Sequence, residues 1–366
     1  MCGIVGTWGG NLSNLKAANQ LLTHRGPDDG GIYKDDKLNI GLGHRRLSII
    51  DASSSGHQPM YSNDGKTILV FNGEIYNYKE LRSELQRKGF VFQGKSDTEV
   101  LLNLYLSEGK EMLSKLNGIF AFAILDTSSE SLFVARDALG VKPLYYSTKD
   151  NIFSFSSEMK ALLKLTLNTK ELDAESINRY LSFLWCPGDG TPLESVKKLL
   201  PGEAIIVKNG CITDKWLWYK LPILNNIKKS LGKNQAISGV TKYLRQGVHR
   251  QMVADVPLGA FLSGGLDSSA IVAFAKEINP NIRCFSIETK GKQDDGVIDD
   301  LPYAKRVAKH LNVPLEVVSI ESHRVANDLE NMIAQLDEPL ADPAALNVFY
   351  ISQLAKEQGI KVLLSG

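Results

Sequence analysis

Beyond about residue 236 the chain keeps one rhythm, in which a short apolar run is followed by a helical period. LGAFL precedes SSAIVAFAKEI, RCFSI precedes PYAKRVAKHL, LEVVSI precedes two further helical stretches, and IKVLL closes the series. Parallel strands need long crossovers, usually helices, so this alternation predicts an α/β domain with a parallel sheet covered on both faces. Ligands of such sheets bind beyond the carboxyl ends of the strands. The loop SGGLDSS, residues 263–269, stands at such an end.

The first 220 residues are built differently. Short apolar runs alternate with turn residues: TILVF at 67–71, GIFAFAIL at 118–125, SLFVARD at 131–137 and IFSFSS at 152–157. These read as strands of stacked sheets. Two helices interrupt them, YKELRSELQRK between an Asn77 cap and a Gly89 stop, and VLLNLYL behind the capping box Ser96-Asp97-Thr98-Glu99. The expected architecture is an α+β sandwich followed by an α/β parallel-sheet domain. Expected boundaries are 2–220 and 236–366, joined through 221–235, where the polar passage NNIKKSLGKNQ falls.

Bulk properties narrow the function. Lys plus Arg number 42 against 41 Asp plus Glu, a net charge of +1, so no excess of charge points to nucleic acid or an anionic membrane. No apolar stretch approaches the roughly 18 residues of a membrane span. The cysteines at 2, 186, 211 and 284 are widely spaced with no C-x-x-C pair, which favours a reducing, cytoplasmic setting over disulfides or zinc. Cys186, Cys211 and Cys284 are expected to be packing residues, and the six histidines show no metal-ligand spacing.

Two stretches imitate or form phosphate loops. Gly89 to Ser96 satisfies G-x-x-x-x-G-K-[ST], but it follows a helix rather than a strand. A helix stop, a strand and the next helix's cap account for it. SGGLDSS has strand, glycine turn and helix in the required order. Gly264 and Gly265 can turn backbone N–H groups inward, the helix expected from about Ser268 adds its positive end, and Ser263, Ser268 and Ser269 add hydroxyl donors. Asp267 beside phosphate calls for a bridging cation, so it is the candidate Mg²⁺ ligand. A tight βα turn with serine caps is the plainer alternative.

The chain opens MCGIVG, which reads as a short buried strand with a thiol just ahead of it. Removal of the initiator methionine would leave Cys2 with both a thiol and a free α-amine, whose reference pKa of about 7.7–8.0 suits a general base. Nucleophile and base would then share one residue.

Taken together, MCGIVG, HRGPDDGG (24–31), GHRRLSIID (43–51), FNGEIYN (71–77), KSDTEV (95–100), GVKPLYY (140–146), SGGLDSS and DEPLADPAAL (337–346) resemble the glutamine-hydrolysing asparagine synthetases and their amidotransferase relatives. The resemblance covers nearly the whole chain. It implies an N-terminal-nucleophile glutaminase sandwich joined to an ATP-pyrophosphatase-type synthetase domain. In the first, it implies Cys2 as nucleophile and an oxyanion hole of Asn72 and Gly73. Arg46 would hold the glutamine carboxylate, Glu74 and Asp97 the α-ammonium, and a strand Leu47, Ser48, Ile49, Ile50 would line the pocket. In the second, the family uses ATP and Mg²⁺ to adenylate a carboxylate. Adenosine would contact Phe261, Ile287, Ser365 and Gly366, with pyrophosphate in the SGGLDSS nest.

The implied partners are glutamine, ATP and a carboxylate acceptor, with a homodimer as the candidate assembly and neither nucleic acid nor membrane. Aspartate giving asparagine is the first reading of the acceptor, and a sugar uronic acid is the alternative. A reading of another class is a catalytically incomplete protein that binds glutamine or nucleotide and regulates a partner. Singly, the residues have duller accounts: Asn72-Gly73 as a hairpin turn, Arg46 as a surface charge, Asp97 as a first-turn residue, Cys2 as a buried structural thiol. Their joint appearance in the family's order favours the site. Two departures stand out. Glu288 sits where relatives commonly carry glycine, and the chain stops at KVLLSG, so a piece of a longer protein is expected.

Overall fold

A computed structural model describes residues 1–166, 171–222, 231–290, 300–342 and 344–366. The chain divides into two compact units, Met1–Pro222 with Asp337–Leu340, and Ile223–Leu336 with Ala341–Gly366.

Among the described residues the first unit holds two six-stranded sheets. One has the order β10 (Lys197–Lys198), β8 (Tyr145–Lys149), β9 (Ile152–Ser156), β1 (Gly3–Trp8), β3 (Ile40–Arg46), β2 (Asp29–Asp35). The other runs β12 (Cys211–Leu217), β11 (Glu203–Lys208), β7 (Ser131–Arg136), β6 (Gly118–Asp126), β5 (Thr67–Ile75), β4 (Met60–Tyr61). Alternate side chains of each strand point to opposite faces. Thus Ile4, Trp8, Ile40 and Leu42 from one sheet meet Ile68, Val70, Ala121, Ala123 and Val134 from the other in a common core. The opposite face of β1 sends Val5 against α1 (Leu15–Leu21) and α4 (Met159–Leu165). Helix α3 (Asp97–Glu108) packs on β5 and on α2 (Tyr78–Arg87). The result is helix, sheet, sheet, helix. Buried on both faces, the strands carry continuous apolar runs such as TILVF.

Five local expectations are corrected here. Asn77 precedes α2 without capping it: its Nδ2 donates to Lys115 O (2.9 Å) and its Oδ1 accepts from Asn117 N (3.0 Å), which ties it to the entry of β6. Half of the capping box forms, with Ser96 Oγ accepting from Glu99 N at 3.2 Å. The Glu99 carboxylate instead takes Gln93 N and Gly94 N. Phe90–Phe92 is irregular chain rather than a strand: Phe90 N donates back to Leu85 O at the end of α2 (3.0 Å), Val91 is 76% exposed and Phe92 lies under the Arg82 guanidinium. Nor is Leu47–Ile50 a strand, because Ser48 N leaves the ladder for Asp28 Oδ2 (2.8 Å) and the loop wraps round the Arg46 side chain. Of the cysteines expected to pack, Cys186 and Cys284 are buried, but Cys211 is exposed, with Sγ 3.1 Å from Asn151 Oδ1.

The second unit has a four-stranded parallel sheet, in the order β15 (Leu315–Glu321), β14 (Arg283–Lys290), β13 (Leu258–Phe261), β16 (Val362–Leu364). Residues of α6 (Lys233–Gln251), α7 (Leu266–Ile278) and α8 (Leu301–Leu311) bury one face around Ala260, Leu262 and Cys284. On the other face α10 (Ala344–Glu357) packs through Ile351 and Ala355 on Phe285. The chain winds outward from β13 through β14 to β15 and then returns to β16 on β13's far side. The strand order therefore reverses between β13 and β16, and SGGLDSS leaves the carboxyl end of β13 at that switch point. Residues 225–230 of the polar passage lie outside the described residues. No helix among the described residues is long and apolar enough to cross a membrane.

Candidate active site

Cys2 lies directly before β1, and three contacts hold it. Leu47 N donates to Sγ at 3.4 Å, Sγ faces Leu47 O at 3.7 Å, and Arg25 Nε donates to Cys2 O at 3.0 Å. Arg25 is itself held by Glu158 at 2.9 Å. Burial pushes the thiol above its ordinary value, while the Leu47 hydrogen bond, the terminal amine and Lys142 pull it down. The terminal amine here belongs to Met1, and burial lowers it to about 6. At neutral pH it is largely free base, able to accept a proton.

The far half of β5 supplies the facing wall. Successive residues of an antiparallel strand point their N–H groups to alternate sides. Phe120, opposite Gly73 in β6, turns its own N and O toward Asp137, so Gly73 directs its N–H away from β6. Phe71 and Ile75 have the same parity. Phe71 N donates to Gln58 Oε1 (2.7 Å) and Ile75 N to Asp97 Oδ2 (3.0 Å). Gly73 N lies between them, on a stretch that β4 does not reach, and has no acceptor among the described residues. A side chain at Gly73 is excluded because its Cβ would lie 2.3 Å from Ile119 O. Next to it Asn72 is fully buried, yet neither its Nδ2 nor its Oδ1 has a partner among the described residues. Buried amides are ordinarily satisfied, and each exception calls for a cause. His44 Nε2, donating to Phe71 O at 3.1 Å, steadies this strand from the other sheet.

These groups share a cavity of about 40 Å³, lined by Cys2, Arg46, Leu47, Ile49, Ile50, Asn72, Gly73, Glu74 and Asp97 among the residues expected from sequence. Ser48 is not in the lining. Met1 is, so its removal would enlarge the cavity as well as bare the Cys2 amine. Arg46 gives Nη1 to Ser53 O (2.8 Å) and Nη2 to the carbonyls of Ile50 and Asp51, which leaves two of its five donors for a carboxylate. Burial raises Glu74 to about 7 and Asp97 to about 6, against a countering pull from Lys142 on the first and backbone donors on the second. Sequence reasoning missed Gln58, Phe71, Thr98 and Lys142 in this lining. Lys142 had a signal, since GVKPLYY stood among the family motifs without a role.

In the second unit α7 begins at Leu266, two residues earlier than expected, with Gly265 as its cap. Asp267 therefore occupies the first helical turn, exposed. Gly264 has φ of +83°, and a Cβ there would lie 2.4 Å from Ala304 N at the start of α8. Ser263 Oγ and Ser268 Oγ are 3.0 Å apart, and Ser269 Oγ is buried without a partner among the described residues. Gly366 closes on the same turn, where a Cβ would lie 3.2 Å from that of Asp267. Phe261 and Ile287 pack together on the α10 side of the sheet. An orphaned hydroxyl beside a glycine turn and a helix N-terminus fits a polyphosphate. For Mg²⁺ one carboxylate suffices when phosphate and water complete the shell. Glu288, at the end of β14, accepts from Ser319 Oγ at 2.6 Å.

Two family models divide the chain, one described as a glutamine amidotransferase domain over residues 1–218 and one as asparagine synthase over 239–366. The chain belongs to the glutamine-hydrolysing asparagine synthetase family. Within it, the chain is 38% identical to asparagine synthetase [glutamine-hydrolyzing] 1 of Bacillus subtilis, over all of this chain and 57% of that protein. It is 31% identical to asparagine synthetase [glutamine-hydrolyzing] 3 of the same organism, over all of this chain and 62% of that protein. An amidase of Gibberella zeae, chry2, is 29% identical over 97% of this chain and 54% of its own length. The chain thus spans little more than half of these relatives. The expected two-part build, an α+β sandwich followed by an α/β parallel-sheet domain, is the fold described above, and the two family models fall one on each part.

Proposed function

We propose that this chain carries the glutaminase and part of the synthetase of a glutamine-dependent asparagine synthetase, over residues 2–220 and 236–366. The observation that carries the reading is the pair of uncommitted donors, Asn72 Nδ2 and Gly73 N, in the cavity that holds Cys2. Once Met1 is removed, Cys2 Sγ gives its proton to its own α-amine and attacks the side-chain amide carbon of glutamine. The oxyanion that forms accepts from Asn72 and Gly73, where fixed donors are worth about 10²–10³ in rate each. Collapse expels ammonia as the α-ammonium returns its proton to the leaving nitrogen, and water, giving a proton to the freed α-amine, releases glutamate and the thiol from the thioester. Arg46 grips the α-carboxylate, while Glu74 and Asp97 take the α-ammonium. A free thiol at this position suits a reducing, cytoplasmic setting.

In the second unit the proposal places the ATP phosphates against Ser263, Gly264, Gly265, Ser268 and Ser269, with adenosine near Phe261, Ile287, Ser365 and Gly366. Asp267 would hold Mg²⁺, which when bound neutralises phosphate charge. Aspartate is the proposed acceptor, giving asparagine, AMP and pyrophosphate. The test uses the full-length protein. Glutamate release should vanish in Cys2→Ala, and ATP–pyrophosphate exchange should require aspartate rather than a sugar uronic acid. Glutamate release at the original rate from Cys2→Ala would refute the nucleophile, and exchange without aspartate would refute the acceptor.

A further inference from the structure

Lys142 is among the most deeply buried lysines of the described residues, and it lines the glutaminase cavity beside Cys2, Glu74 and the terminal amine. Its ammonium has no hydrogen bond and no ion pair among the described residues. Burying an unpaired cation costs several kcal/mol, and lysines are almost never placed so without compensation. The chain nonetheless builds a rigid loop to put it there.

Asp137, itself buried, accepts from Leu139 N, Val141 N and Lys142 N, each at 3.0 Å, and from Phe120 N at 3.2 Å. Arg136 donates Nε to Lys142 O (2.7 Å) and Nη2 to Gly140 O (2.6 Å). Gly140 takes φ of +66° to make the turn. Because Phe120 is the β6 partner of Gly73, the loop is anchored to the strand pair that carries the oxyanion donors. The N–H groups of Leu139, Gly140, Val141 and Lys142 and the carbonyls of Gly140 and Lys142 are committed in this turn, whereas the Lys142 ammonium has no hydrogen bond among the described residues.

We infer that Lys142 is the positioning cation of the glutaminase nucleophile: held in the cavity with no direct ion pair among the described residues, it stabilises the Cys2 thiolate and keeps the neighbouring α-amine in its free-base form. This rests on the glutaminase reading and deepens it. A single positive charge favours the thiolate and keeps the amine in the free-base form that can accept the thiol's proton, while opposing the ammonium that the transfer forms. Around the thiol, the amine and Lys142 favour ionisation, while Asp97 opposes it. Around the terminal amine, which in this structure is that of Met1 one residue before the Cys2 nitrogen, Lys142 and Arg25 favour the neutral form, whereas the thiolate and Glu74 oppose it. Lys142 is the cation that appears on both lists. Burial makes the lysine pay in kind, lowering its own affinity for a proton, with Glu74, Cys2 and Asp137 holding the charge in place against Arg25.

The experiment compares the full-length protein with Lys142→Met and Lys142→Arg, following the rate of Cys2 alkylation by iodoacetamide and kcat/KM for glutamate release across pH 5–9. In Lys142→Met the acid limbs of both profiles should move up by about one pH unit, which is tenfold in rate at pH 7. Lys142→Arg should restore the wild-type position. Lys142→Gln gives the same readout if the methionine variant does not accumulate. An alkylation profile of Lys142→Met that superimposes on wild type overturns the inference, as does a KM effect with no displacement, which would assign Lys142 to gripping substrate. Wild-type glutamate release tests the glutaminase reading separately. The alkylation curves report on Lys142 even if no glutamate is formed.

Discussion

Replacing Asn72 by leucine separates a functional residue from a structural one, because the two readouts move in opposite directions. Asn72 is wholly shielded from solvent, and both of its amide atoms lack partners among the described residues. A buried polar group left unsatisfied costs about 1–3 kcal/mol, and an apolar side chain of similar volume removes that cost. The first unit is of a size for which 1 kcal/mol shifts the melting temperature by about 2–4 °C. Asn72→Leu should therefore melt roughly 2–12 °C higher. The same change removes an oxyanion donor, which lowers kcat by about 10²–10³ and leaves KM for glutamine nearly unchanged. The assay pairs calorimetry of the full-length protein with glutamate release. A variant that melts lower than wild type, or that keeps kcat within threefold, refutes the reasoning.

Gly73→Ala should lower glutamate release about 10²-fold, because its Cβ, at 2.3 Å from Ile119 O, must move that strand pair by several tenths of an ångström and displace the N–H with it. Steady-state kinetics beside a melting curve checks this, and an active variant would place the oxyanion donor elsewhere. Burial raises Glu74 to about 7 and Asp97 to about 6, so both are protonated in the free protein as pH falls through that window. On the proposed reading glutamine binds their charged forms through its ammonium, so KM should level off well above pH 7, climb by up to about tenfold per unit as pH falls from 7 to 6, and climb more steeply below pH 6. A flat KM from pH 5 to 8 contradicts it. Gly264→Ala forces a side chain onto φ of +83° and to 2.4 Å from Ala304 N, so ATP–pyrophosphate exchange should be lost while glutamate release persists. Retained exchange would argue against a phosphate turn.

Much of the fold is legible in the order of elements, since a strand flanked by helical periods can be little else than a parallel-sheet unit. Finer features escape when one side chain has two competing uses. Asn77 has the right type and place for a cap, yet Lys115 and Asn117 offer it better-placed backbone partners from another part of the chain. Glu99 is likewise drawn from the capping box to two N–H groups of the preceding loop. In the cavity, the motif residues Cys2, Asn72, Gly73, Glu74 and Asp97 come together as their joint order suggests. Gln58 does not stand out in the sequence, because its use depends on Phe71 being brought alongside it by β4–β5 pairing. Lys142 lies in a visible motif, but its burial beside Cys2 with no direct ion pair among the described residues is a property of the folded surroundings.

The brevity of β4 has a consequence for how the protein could lose its chemistry. Unpaired strand edges are usually hazards that proteins shorten, charge or cover. Here two residues of β4 screen the beginning of β5, and side chains of Gln58 and Asp97 stopper Phe71 and Ile75 farther along. Between them, among the described residues, the N–H of Gly73 is left without a partner. A lengthened neighbour strand, or a bound extended peptide that zipped along this edge, would silence the enzyme by completing its sheet, with every catalytic side chain intact.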